Sequence, residues 1–308
     1  MSEQTASNAP DIKAFFDHDS NTVSYVVADP ATKKAAIIDS VLDFDYASGT
    51  IGYDHADQMI AYVVAQKLTV EWLIETHVHA DHLSAAPYIQ QHLGGKIGIS
   101  DRISEVQAVF GKIFNAGTEF ERTGSQFDKL FADGDRYKIG ELDAVAMATP
   151  GHTPACMVHL IGDAVFVGDT LFMPDGGTAR ADFPGGDART LYQSIQKILA
   201  LPDQTRMFVC HDYAPNGREF LWETSVAAQR AANIHVGNNV AEDSFVDMRQ
   251  TRDASLAMPR LIMPSIQVNM RAGHMPEAEE NGATYLKVLL EGLRKLILRC
   301  HRRIPILT

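Results

Sequence analysis

Cysteine is scarce in this chain of 308 residues: there are three, Cys156, Cys210 and Cys300, and none forms a C-x-x-C pair. That scarcity argues against a disulfide framework and suits a reducing cytoplasm. No apolar run approaches the length of a membrane span. The opening residues, Met1-Ser2-Glu3-Gln4-Thr5, lack the basic start and apolar core of a signal peptide, so a soluble, cytoplasmic protein is expected. Positive charge is in deficit: 27 Lys and Arg against 39 Asp and Glu give a net charge of −12. The imbalance disfavours nucleic acid or an anionic membrane as partner, while a small anionic substrate stays compatible with it. Internal repeats and low-complexity tracts are missing too. What the chain does have is 45% hydrophobic and 21% charged residues, enough for one large domain or two modest ones.

The most informative stretch is Thr76-His77-Val78-His79-Ala80-Asp81-His82. It follows Glu71-Trp72-Leu73-Ile74-Glu75, which has the bulk and β-branching of a buried strand. It precedes Leu83-Ser84-Ala85-Ala86-Pro87, where Ser84 can cap a helix and Pro87 fits its first turn. Three imidazoles and a carboxylate thus crowd one strand-to-helix loop. A single histidine is commonly a packing residue. Four ligand-type groups at H-x-H-x-D-H spacing point to a metal.

Along the chain, a polar leader (1–20) precedes two strands, Asn21–Ala28 and Ala35–Asp39, joined through Asp29-Pro30. Residues 40–56 read as a loop. Met59, Ile60, Val63, Val64 and Leu68 recur at helical spacing. Further helices are expected at 84–93, 104–114, 189–199 and 220–232. Strands are expected at 96–99, 137–139, 142–148, 157–161, 164–167 and 207–210, with a polar linker at 241–257. Gly162-Asp163 is a strong two-residue hairpin signal. Strands and helices alternate in two sets with hairpins among the strands, so two mixed sheets covered by helices are expected.

Three later motifs each place a ligand just after a predicted strand: Gly151-His152-Thr153, Gly168-Asp169-Thr170 and His211-Asp212-Tyr213. Alone, each has a plainer reading, with His152 in a turn, Asp169 as a cap and His211 as a buried hydrogen-bonder. Their order after the histidine loop changes that. With His77, His79, Asp81, His82, His152, Asp169 and His211, the chain resembles the metallo-β-lactamase superfamily over about residues 20 to 215. The resemblance implies a four-layer αββα fold with a metal site at the sheet edges, over a domain at 21–286 extended from about 215. Residues 287–308 depart from it: Leu289, Leu290, Leu293, Leu296 and Ile297, among basic residues, read as an atypical amphipathic tail.

Within the superfamily, Ala179-Arg180-Ala181-Asp182-Phe183 and Pro264–Gly273 resemble the glutathione-dependent persulfide dioxygenase branch. That likeness implies one Fe(II) on His77, His152 and Asp169, with open positions for O₂ and a persulfide sulfur. His79, Asp81, His82 and His211 would then orient the ligands or move protons. Glutathione persulfide would be the substrate, giving sulfite and glutathione. Arg180, Tyr213 and Arg271 are the candidate substrate anchors, and a dimer or tetramer is the expected assembly. A glyoxalase II-type thioester hydrolase with two metals, zinc among them, needs the same seven ligands. A sensing module without catalysis is a third reading. The ligand set alone does not separate them.

Overall fold

The computed structural model describes residues 9–290. Its first sheet runs in the order β1 (Asp11–Asp17), β2 (Thr22–Ala28), β3 (Lys34–Ile38), β6 (Thr69–Ile74), β8 (Lys96–Ser100) and β9 (Lys129–Phe131). The strands from β3 to β9 are parallel, and the β1–β2–β3 edge is antiparallel. The second sheet follows chain order: β10 (Arg136–Ile139), β11 (Leu142–Ala148), β12 (Met157–Ile161), β13 (Ala164–Phe166), β14 (Arg206–Phe208) and β15 (Glu223–Ser225). Only β13 and β14 pair in parallel there. A small third sheet joins β4 (Val41–Asp45) to β5 (Thr50–Gly52) and β7 (Leu83–Ser84).

Period-two alternation decides the layering. In β2, Val23, Tyr25 and Val27 face the opposing sheet, where they meet Ile161, Phe166 and Phe208. Val26 and Ala28 face outward instead, onto the helices. Strands buried on both faces read as continuous apolar runs, as these do. Over the first sheet lie α1 (Asp54–Ala65), α2 (Ala86–Leu93), α3 (Ile103–Ile113) and α7 (Ile262–Asn269). Over the second lie α4 (Ala188–Leu199), α5 (Val226–Ala232) and α6 (Glu242–Ser255). This is the expected αββα sandwich.

Several local expectations need correction. β1 occupies part of the expected leader, with Ile12, Ala14 and Phe16 turned toward the inter-sheet core. The 40–56 loop contains the β4–β5 hairpin. The expected 220–232 helix begins only at Val226: Glu223–Ser225 is β15, drawn out of helix by pairing with β14. Ser84 is in β7; its Oγ still accepts from Ala86 N–H at 3.1 Å, but Ala85 is the N-cap residue of α2. The 241–257 linker is α6. At the end of the described residues, Leu286 and Leu289 pack on the first core and Leu290 is exposed. The expected tail helix beyond Leu290 lies outside the described residues.

Candidate metal centre

The parallel strands of the first sheet end on one side, and β3 and β6 each release a carboxylate there. Asp39, directly after β3, has φ +52, a conformation that aspartate tolerates better than most residues. Its carboxylate accepts from Thr76 N–H at 2.8 Å and Thr76 Oγ1 at 2.9 Å. It also lies 3.0 Å from His79 Nε2. Glu75 adds a second oxygen 3.2 Å from the same nitrogen and accepts from Ser84 Oγ at 2.6 Å. His79 Nε2 is thereby committed, and Nδ1 is buried without a partner.

The other imidazoles repeat this division. His77 Nδ1 meets Thr76 Oγ1 at 3.0 Å, while its unpartnered Nε2 is 3.7 Å from Asp169 Oδ2. His152 Nδ1 donates to the Arg180 carbonyl at 2.8 Å, and its Nε2 is 3.5 Å from Asp169 Oδ2. His82 Nδ1 lies 3.2 Å from both Asp81 Oδ2 and Thr22 Oγ1, with Nε2 unpartnered. His211 Nδ1 donates to the Asn21 carbonyl at 3.2 Å. Its Nε2, without a hydrogen bond, is 3.2 Å from Asp169 Oδ1 and 3.5 Å from Asp81 Oδ2. Buried polar atoms are normally satisfied. So many unpartnered imidazole nitrogens around two carboxylates make a donor set that fits metal ions. The groups His77–His152–Asp169 and His79–Asp81–His82 could each hold one.

Electrostatics agree with a site built around cations. Burial works against charge on Asp169, yet His211 and His77 hold it far below the usual carboxylate range. Burial likewise opposes a charged His211, but Asp169 and Asp81 outweigh it and lift the imidazole to about 9. His77 is pushed down to about 3, chiefly by burial and then by His79. Local backbone also matters: Gly168, at φ +50, lies so close to Thr76 that a Cβ there would meet its Oγ1 at 2.6 Å. Asp169 can approach the histidine loop because its neighbour has no side chain.

A cavity of about 470 Å³ opens over this centre. Asp81, His152, Asp169 and His211 form part of its lining, Phe172, Tyr213 and Leu256 add apolar wall, and Arg252 and Arg260 stand among the lining residues as exposed cations. The structure brings all seven sequence-predicted ligands together. Tyr213 joins them in the cavity, its ring parallel to that of His211 at 5.9 Å. Arg180 also lines it, but its guanidinium is engaged by Asp182 at 2.6 and 2.8 Å and by the Ala257 carbonyl. Arg271 lies elsewhere, with its guanidinium 4.4 Å over Phe120 in a separate cavity that includes none of the seven.

Asp39, Glu75, Thr22 and Asn269 were not expected at the site. Asp39 did carry a signal, an acid directly after an apolar strand, the same placement as Asp169. Glu75 adjoins the histidine motif. Nothing local marks Thr22 or Asn269.

The chain matches the family model for the metallo-beta-lactamase superfamily over residues 19–211. A probable metallo-hydrolase of Burkholderia pseudomallei is 53% identical, over 92% of this chain and 99% of that protein. Glyoxylase B2 of Dictyostelium discoideum is 46% identical, over 94% and 100%. The mitochondrial persulfide dioxygenase ETHE1 of mouse is 28% identical, over 89% and 93%. The crystal structure of ETHE1 from Myxococcus xanthus aligns with a TM-score of 0.68 at 28% identity, over 86% of this chain and all of that one.

The likeness to persulfide dioxygenases is therefore real, but the expected dioxygenase function is overturned. Far more similar proteins carry hydrolase and glyoxylase names. The Ala179–Phe183 stretch that carried the expectation also has a structural task. Arg180 holds His152 through its carbonyl, and Phe183 packs edge-on against the His152 ring at 5.2 Å. Such support serves any chemistry at His152. With the fold, the ligand geometry and the family match in agreement, the chain belongs to the metallo-β-lactamase superfamily.

Proposed function

We propose that this protein is a metal-dependent hydrolase of the glyoxalase II type, cleaving a thioester of a carboxylated, glutathione-like thiol with two divalent ions. One observation carries the reading: the Asp169 carboxylate faces two ways. Its Oδ2 is directed at His77 and His152, and its Oδ1 at His211. A carboxylate so placed can be shared between two ions, and seven donors exceed what one ion uses in a mononuclear site. His77 and His152 would hold one ion and His79, Asp81 and His82 the other, with Asp169 shared and His211 beside Asp81. The relatives at 46–53% identity, with their glyoxylase and hydrolase names, support the same reaction class.

Bound divalent ions supply a nucleophile at neutral pH and polarise an acyl carbonyl. The chain's own residues do the rest. Asp81, in the cavity lining, orients the attacking water. Phe172 and Leu256 shield the acyl group from bulk solvent. The Tyr213 hydroxyl reaches the leaving sulfur side by hydrogen bonding. Arg252 and Arg260 make no ion pair with a described residue, and they pair with the carboxylates of the thiol.

The test is metal content and S-lactoylglutathione hydrolysis on protein loaded with Zn(II) or Fe(II). About two ions per chain and steady thioester cleavage are expected. Asp81→Asn should lower kcat by about 100-fold or more. The double change Arg252→Ala with Arg260→Ala should raise KM with kcat nearly kept. A dimetal protein that leaves thioesters intact would refute the proposal.

A further inference from the structure

We propose that Asn269 is a positioning residue of the metal centre, so that α7, far beyond the 19–211 family match, sets the geometry of the histidine loop. The inference rests on the metal-binding reading above. Asn269 ends α7 and is 5% exposed. Its Oδ1 accepts from Ser84 N–H at 2.8 Å. Its Nδ2 donates to the His79 carbonyl at 2.9 Å and the His82 carbonyl at 2.8 Å. One planar amide therefore spans the stretch that carries His79, Asp81 and His82, holding the backbone on both sides of Asp81.

The chemistry of the clamp is selective. It needs one acceptor and two donors from a single short side chain, which asparagine supplies. Aspartate has the same shape but would set an oxygen against two carbonyl oxygens. The chain after α7 is held as well: the Met270 carbonyl accepts from Gln107 Nε2 of α3 at 2.9 Å. Gly273, at φ +84, approaches so near that a Cβ would meet Ser84 O at 3.0 Å and Pro87 Cδ at 2.6 Å. Without the amide, two carbonyls and one N–H would be left buried and unpaired. The loop would then turn to satisfy them, carrying its ligands out of position.

The experiment uses the full chain with Asn269→Asp and, as control, Val268→Ala, a fully buried neighbour on the same helix. Each is prepared metal-free and titrated with Co(II) and Zn(II), with the Co(II) absorption spectrum and thermal midpoint recorded. Asn269→Asp should lose about 10–100-fold in metal affinity and show a changed Co(II) spectrum. Val268→Ala should lose thermal stability while keeping wild-type affinity and spectrum. If Asn269→Asp does not accumulate folded, Asn269→Gln takes its place with the same expectation. Wild-type affinity and spectrum in a folded Asn269 variant would overturn the proposal, and so would equal losses in Val268→Ala. A wild-type chain that binds no Co(II) would instead overturn the metal reading beneath it.

Discussion

Buried histidines with an unpartnered nitrogen are of two kinds in this protein, separated by what that nitrogen faces. At the centre, each of the imidazoles has one nitrogen held by an oxygen and the other directed at Asp169, Asp81 or a neighbouring ligand. His159 on β12 differs: Nδ1 lies 2.9 Å from the Tyr137 hydroxyl, Nε2 has no partner, and no ligand group faces it. Burial pushes His159 down to about 4. Against an unfolded value near 6.5, the folded state favours the neutral ring. That contribution is complete above about pH 6.5 and is lost as pH falls through about 4. Urea midpoints of wild type and His159→Leu should therefore diverge in slope between pH 6.5 and 4, wild type losing about 2–3 kcal/mol more. Parallel pH profiles would contradict the assignment. The seven ligands were legible in sequence because four crowd one loop at H-x-H-x-D-H spacing and the other three each come just after an apolar strand. Asn269 was not, because a side chain that acts through backbone groups nearly 190 positions away leaves no local pattern.

Among the elements, α6 shows why apolar periodicity misses a helix. Its inward face is Phe245, Val246, Arg249 and Asp253, half of it charged. Arg249 donates to Asp253 at 2.9 and 2.6 Å and to the Thr178 carbonyl at 3.1 Å, while Asp253 accepts from Ala181 N–H at 2.8 Å. The pair ties α6 to the strip whose Arg180 carbonyl orients His152. A buried ion pair substitutes for apolar residues in packing, and a scan for apolar spacing reads it as a linker. Removing one partner strands the other charge. Asp253→Ala should cost about 3–5 kcal/mol, and Arg249→Met combined with Asp253→Leu should cost less than Asp253→Ala alone. Denaturant midpoints of the three proteins decide it; a loss under about 1 kcal/mol for Asp253→Ala would show that the pair is not what holds α6. Among the other misses, β4, β5, β7, β9 and β15 are pairings of two to five residues, fixed by a partner strand rather than by their own residues.

For the whole molecule, the centre is a seam. The histidine loop leaves the first sheet, whereas His152, Asp169 and His211 leave the second. Thr22 of β2 reaches across to Asp81, His82 and His211 within 3.2 to 3.4 Å, and Val23 N–H donates to the Cys210 carbonyl at 2.7 Å. Ions bound here join both halves of the sandwich, so their removal should loosen the fold itself. At metal about 1,000-fold above its Kd the linkage is worth about 4 kcal/mol. For a chain of this size that corresponds to a fall in thermal midpoint of roughly 10 °C with EDTA, reversed by Zn(II). An unchanged midpoint would show that the ions do not hold the sheets together.

All seven ligand positions lie between His77 and His211, whereas Arg249 to Arg260, which contribute one side of the cavity, come later in the chain. On the function proposed above, the reaction is set between His77 and His211, and part of the choice of molecule is set later in the chain. Changes at 256–260 can alter what enters without altering what is done to it. A lineage built this way can exchange substrates while inheriting a finished reaction centre, and divergence among its members is expected to concentrate in that later stretch.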